Sequence, residues 1–419
     1  MQPVAAPDDG PSASDRAREE NPSGFRGDDR PGNRVGGAAR FGALLAAGLI
    51  AGCAAFSKGE LSVRVHTAPP PSDAERYCAW FGDAGGDTLY FGQSAFWAAS
   101  RAAGPAGNPL GDLEHPGPVL VGRFDLETEQ LLEPLDVGSR GASTGAWDVL
   151  AHPNGRVYFS SYFENSGWVD PESGEVGLLP ELGPGLNELA LATDGRIFAT
   201  RYPSPYWPGG LVVLDETGAL LNEYTLPAPP GYLAGPKSVA VDPIRGEIWL
   251  SMDLLPDASA AQDLPILHDA YVLDANGALL RTIERPHLHF PVFARDGTGY
   301  RAEVEDAALW LRTLEPDSDP FDDEGGVRQL LDPDFSEGFD FAQEVRPLPD
   351  GGAIVTRWSG LVHRVDAAGR VHTLRLPPQE PPGLYYTAVL RDGRVCATHC
   401  GDVSVVCADA PTGETSPAE

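Results

Sequence analysis

The sequence predicts an all-β chain folded as a seven-bladed β-propeller, and three observations carry that prediction. Gly (49) and Pro (40) fill about a fifth of the 419 residues while only 22% are charged, a balance that suits turn-rich strands and disfavours helical bundles. Glycine-containing hairpin signals recur at intervals of roughly 40–55 residues after a longer first copy, the spacing of a four-stranded repeat. The last copy ends after its third strand, while an unpaired strand-like segment stands before the first copy, so the two complete one blade.

The turns fall at Gly85-Gly86, Asn154-Gly155, Asp194-Gly195, Arg245-Gly246, Asp296-Gly297, Asp350-Gly351 and Asp392-Gly393. Asn-Gly and Asp-Gly tolerate the positive φ of tight hairpins. After them come TLYFGQ, RVYFSS, RIFATR, EIWLSM, TGYRAE, GAIVTR and RVCATH, the second strands, several ending in Ser or Thr. Third strands end at Asp125, Asp170, Asp215, Asp274 and Asp366, and polar fourth strands such as LLNEYTLP and VHTLRLP follow. LSVRVHT, residues 61–67, is the strand expected to close the ring. The first copy carries an insertion at 95–118, which keeps a six-bladed alternative open.

Two units, NELALATDGRIFATR (187–201) and SVAVDPIRGEIWLSM (238–252), resemble the NHL and SMP-30/gluconolactonase propellers. That resemblance implies the fold; such folds host enzymes, binders and scaffolds alike. Enzymes of the lactonase group hold a metal with a Glu before the first blade's Trp, an Asn at a strand start and a later Asp. Asn187 matches the Asn, but no Glu stands at the expected offset before Trp80, and Lys237 replaces the Asp. The resemblance therefore implies that this metal set is absent, and Ca or Mg would need a different one.

Residues 41–52, FGALLAAGLIAG, form a short apolar run after Arg34 and Arg40, too short for a comfortable transmembrane helix. Its end, Ile50-Ala51-Gly52-Cys53, resembles a bacterial lipobox, which implies acylation (palmitate among the chains) at Cys53 and an exported protein anchored to a membrane. Ala54 after the Cys implies the outer membrane, periplasmic face. The expected organisation is a disordered or mis-assigned start (1–34, with translation beginning at Val35), a signal peptide (35–52), a tether with the ring-closing strand (53–72), the propeller (73–410) and a disordered tail (411–419).

An exported chain with four further cysteines suggests disulfides. Propeller geometry pairs Cys396 with Cys407 across the last hairpin, and Cys78 with Cys400 across the seam.

With 61 acidic and 30 basic residues, net −31, the chain lacks the basic stripe that nucleic acid requires. Starts of inner strands and ends of second strands share one face of the disc. The ligand-binding candidates there are Asn187, Glu188, Arg201, Tyr202, Asp253, His289, Glu303, Glu344, Arg357, Trp358 and His399. Carboxylates suit a hard cation, arginines a carboxylate, and aromatic rings a stacked ring. The favoured expectation is a small polar ligand or periplasmic protein bound at the channel face. A metal-dependent hydrolase or lyase, or a non-catalytic scaffold, are the alternatives; no nucleophile elbow, zincin motif, P-loop or dinucleotide fingerprint occurs. Intact-mass analysis of the native protein is expected to find a chain that begins at acylated Cys53, with Cys53→Ser left unprocessed; an unmodified N-terminus upstream of residue 53 would contradict this.

Overall fold

All seven predicted hairpin glycines, Gly86, Gly155, Gly195, Gly246, Gly297, Gly351 and Gly393, take positive φ, between 63° and 92°, where a Cβ would strain the backbone. A computed structural model describes residues 63–68, 78–94, 119–138, 146–161, 165–203, 207–257, 264–284, 290–316, 318, 325–335, 342–376, 385–390, 392–399 and 403–408. The described strands form seven four-stranded antiparallel sheets, and the chain is a seven-bladed β-propeller. The inner strands are Cys78–Gly85, Val149–Ala151, Leu186–Leu191, Tyr232–Val241, Val292–Phe293, Ala342–Pro347 and Tyr385–Val389, in blades 1 to 7. Each touches the inner strand of the next blade, and the seventh touches the first, so these strands surround a central channel.

The ring closes as the sequence predicts. Strand Val63–Ala68 pairs antiparallel with Val403–Ala408, register Val63↔Ala408 to Ala68↔Val403, and forms the outer strand of blade 7. Cys396 and Cys407 stand opposite each other in that blade, are joined by a disulfide, and are fully buried. Cys53, Cys400 and the Cys78 side chain lie outside the described residues, as do the 95–118 insertion and the segments 1–62 and 409–419.

Middle strands are largely apolar because both faces of each blade are covered. Ile197 and Ala199 pack with Tyr158 and Leu182 toward blade 2, whereas Phe198 between them packs with Leu250 and Tyr271 of blade 4. Seven apolar clusters result, one at each interface between neighbouring blades. That between blades 4 and 5 is small, built on Ala240, Trp249, Ala270 and Val272 with Phe290 and Phe293 packed against it. On strand Gly299–Glu305, Tyr300 and Ala302 pack with blade 6, so Arg301 and Glu303 lie on the opposite face, toward blade 4.

Polar contacts repeat with the blades. The third-strand Asp residues accept backbone N–H groups from their own outer turns, as Asp125 does from Thr128 (2.7 Å) and Glu127 (2.9 Å), which lowers its pKa. Arginines beside the first hairpin reach the next blade's carbonyls: Arg156 to Thr217 (3.0 Å), Arg196 to Ala275 (3.1 Å), Arg245 to Ser318 (3.2 Å) and Arg394 to Leu126 (2.9 Å). Removing residues 61–68 would leave Val403–Ala408 as an open edge. A chain starting at residue 69 is expected to melt at least about 5 °C below one starting at residue 54 and to self-associate in light scattering. An unchanged melting temperature in a monodisperse sample would contradict closure by this strand.

Candidate functional site

The channel wall is built from carboxylates that each hold the neighbouring blade. Asp148 Oδ2 accepts the Leu189 N–H (2.7 Å), and Oδ1 its own Val149 N–H (2.9 Å). Glu188 accepts from the Ser238 hydroxyl and the Val239 N–H. Glu344 Oε2 accepts both the N–H (2.8 Å) and the hydroxyl (2.7 Å) of Thr387. Nearer the hairpin end, Asp83 Oδ2 accepts the Ala151 N–H (3.0 Å) and Oδ1 the Ala84 N–H (2.8 Å). Hydroxyls at the second-strand ends add to these bridges: Ser160 donates to the Asn187 carbonyl, Thr200 to that of Lys237, and Thr356 contacts Thr387 at 3.0 Å. The Ser/Thr recurrence at those ends thus reflects blade-to-blade hydrogen bonding.

Arg346 stands among these carboxylates. Its Nε donates to Glu344 Oε1 at 2.5 Å, and neither terminal nitrogen has a hydrogen-bond partner among the described residues. Burial works against its charge, but Glu344, Asp148 and Glu188 outweigh that and raise its pKa further. Burial pushes the Asp148 carboxyl well above its usual range, and the Glu188 carboxylate adds to the effect. Glu188 is pushed up to about 7, chiefly by burial and against the Ser238 hydroxyl. Burial also raises Asp83, against the Ala151 N–H and the Arg346 charge.

A cavity of about 1320 Å³ opens from the channel on the hairpin-turn face. Blade 1 lines it with Asp83, blade 2 with Leu150 and His152, blade 5 with Arg295, blade 6 with Arg346 and blade 7 with Ala388. His152 is committed to the Gly195 carbonyl (2.9 Å) and the Asn154 N–H (3.1 Å). Arg295 is exposed and has no ion pair or hydrogen bond among the described residues.

The expected candidates occupy several places. Asn187, Tyr202 and Asp253 come together where blades 3 and 4 meet: Asn187 Nδ2 donates to the Lys237 carbonyl (2.8 Å), and Tyr202 Oη to Asp253 Oδ2 (3.1 Å). Asp253 also holds His268 Nδ1 (2.8 Å), with Lys237 Nζ at 4.0 Å. Glu188 and Glu344 are in the channel ring. Three others are engaged in internal ion pairs: Arg201 with Glu223, Arg357 with Asp332, and Glu303 with Arg301, Arg312 and Arg328. Burial opposes the Glu303 charge, yet Arg312 and Arg301 hold its pKa below the usual value. Trp358 is half-buried in the turn after Arg357. His289 and the His399 side chain lie outside the described residues. Among the described residues, no three His, Cys, Asp or Glu side chains are grouped to hold a metal ion.

Asp83, Arg295 and Arg346 are absent from the expected set. For Arg346 a signal existed: it lies two residues beyond Glu344, on the same strand face. Asp83 is the sixth residue of inner strand Cys78–Gly85, away from the strand starts on which the expectation was built.

No family model matches the chain, and no curated protein matches it significantly.

A carboxyl raised from 4.5 to about 7 keeps a proton in the folded state that the unfolded state has released, so stability falls as pH rises across that interval. Melting temperature is therefore expected to be higher at about pH 5.5 than at about pH 8.5. The Glu188 share is on the order of 1–2 kcal/mol once discounted for water in the channel, and is lost in Glu188→Gln. A pH-independent melting temperature, or an unchanged slope in the variant, would contradict this reading.

Proposed function

We propose that this chain is an exported, lipid-anchored propeller that binds a small polar ligand in its central channel, entering from the hairpin-turn face. The observation that carries the reading is the Arg346 guanidinium, open at its terminal nitrogens and lining a large cavity whose wall is part polar and part apolar. A cavity enclosed by blades suits a small molecule better than a protein surface. Its inner wall is cross-braced, because Asp83, Asp148, Glu188 and Glu344 each accept a hydrogen bond from the next blade.

The anchoring part of the proposal rests on the Ile50–Cys53 pattern, and the kinship with NHL and SMP-30-type propellers on segments 187–201 and 238–252. The Asn187 side chain, the one match to the lactonase metal set, bridges to the Lys237 carbonyl. A metal-dependent hydrolase is the weaker reading. Arg346 is a fixed cation among the very carboxylates that a metal would use, and its charge opposes a second cation there.

A thermal-shift screen of small polar acids, amines and sugars is expected to yield stabilisers whose effect disappears in Arg346→Met and persists in His268→Ala. Ca²⁺ and Mg²⁺ are expected to leave the melting temperature unchanged. Stabilisers that depend on His268 and not on Arg346 would move the site to the other face.

A further inference from the structure

Resting on the channel reading, the ligand class follows from which charges in the cavity are already engaged. Four arginines and four carboxylates line it. In blade 1, Arg123 holds the Glu133 carbonyl (2.8 Å) and reaches that of Pro171 (3.5 Å). In blade 2, Arg156 holds the Thr217 carbonyl (3.0 Å) and stacks on Trp168. Asp170 and Asp296 accept backbone N–H groups of their own turns, while Glu172 and Arg295 are exposed. Arg346 of blade 6 and Asp83 of blade 1 remain, both half-buried on inner strands. Arg346 keeps its terminal nitrogens open. Asp83 accepts one N–H on each oxygen, from Ala151 (3.0 Å) and Ala84 (2.8 Å), and a carboxylate has about four acceptor positions. The Arg346 charge acts on Asp83, yet the two form no ion pair among the described residues. Opposite charges that line one cavity without touching leave room for a ligand whose own two charges are reversed.

We propose that the cavity binds an α-amino acid with an uncharged side chain: Arg346 receives its carboxylate, Asp83 receives its ammonium, and the apolar lining takes its side chain. A guanidinium meets a carboxylate with paired hydrogen bonds, and an ammonium brings the donors that the open acceptor positions of Asp83 can use. Leu150, Leu191 and Val389, on the inner strands of blades 2, 3 and 7, supply apolar lining. The eight charged groups of the wall are balanced in sign, which suits a ligand with no net charge. Behind Arg346 in the channel, Glu344, Asp148 and Glu188 also act on its charge without lining the cavity. A carboxylate with no ammonium of its own would therefore meet Asp83 and these acids as like charges. An amine with no carboxylate would leave Arg346 unmet. Binding is non-covalent.

The test is isothermal titration calorimetry on the full chain with alanine and leucine as probes, each compared with its two halves. For leucine these are isocaproate, which lacks the ammonium, and isoamylamine, which lacks the carboxylate; for alanine they are propionate and ethylamine. We expect at least one amino acid to bind, and each of its halves to bind at least about tenfold more weakly. Asp83→Asn keeps an acceptor oxygen for the Ala151 N–H and removes the charge. It is expected to weaken the amino acid at least about tenfold while leaving the carboxylate half unchanged or improved. A purely structural role for Asp83 would weaken both alike and would overturn the inference. Because the wild-type comparison of whole and half ligands stands alone, the test survives a variant that fails to fold. Either half binding as tightly as its amino acid would overturn the zwitterion class and leave the channel reading standing. No binding by either amino acid would overturn the inference, and a thermal-shift screen without Arg346-dependent stabilisers would remove the channel reading as well.

Discussion

One guanidinium, that of Arg346, faces the carboxylates that three other blades direct into the channel, and the electrostatics of the molecule's centre depend on it. Its Nε is tied to Glu344, and its charge acts on Asp83, Asp148 and Glu188. Without it, four acidic groups would crowd a space of low dielectric, where like charges are costly. With it, the carboxylates remain where they also serve as acceptors for backbone N–H groups of adjacent blades. Structural and electrostatic roles thus fall on the same side chains.

Closure of the ring makes that arrangement possible. A propeller blade is an open sheet, and the disc is stable only when its first and last blades meet. Here the outer strand of blade 7 comes from the far end of the chain, so residues 63–68 and 403–408 are held in one sheet. The Cys396–Cys407 disulfide sits beside that pairing, and the Arg394 clasp to the Leu126 carbonyl crosses from blade 7 to blade 1. The apolar cluster is instead small where blades 4 and 5 meet, and there the buried Arg301–Glu303–Arg312 group stands beside it.

Much of the fold was legible because propeller repeats leave local marks. Glycine at a fixed point in each hairpin, an apolar second strand and an Asp at the third strand's end each have one physical cause, and each recurs in the structure. The closing strand was legible from simple counting. The site was less so. Residues at strand ends were expected to face a ligand, but Arg201, Glu303 and Arg357 found partners in their own or adjacent blades, and partner choice depends on distances that sequence spacing does not encode. Glu188 and Glu344 were identified as channel residues, yet their neighbour Arg346 was not, although strand alternation places it on the same face. The hairpin end of the channel, where the cavity opens, was overlooked because its acidic residue, Asp83, sits outside the repeating register.

The most direct test of the central claim is a crystal structure of the protein with a bound small polar stabiliser. The account predicts ligand density in the cavity on the hairpin-turn face, in contact with the terminal nitrogens of Arg346 and close to Asp83. Density instead at the meeting of blades 3 and 4, against Tyr202, Asp253 and His268, with Arg346 untouched, would contradict it.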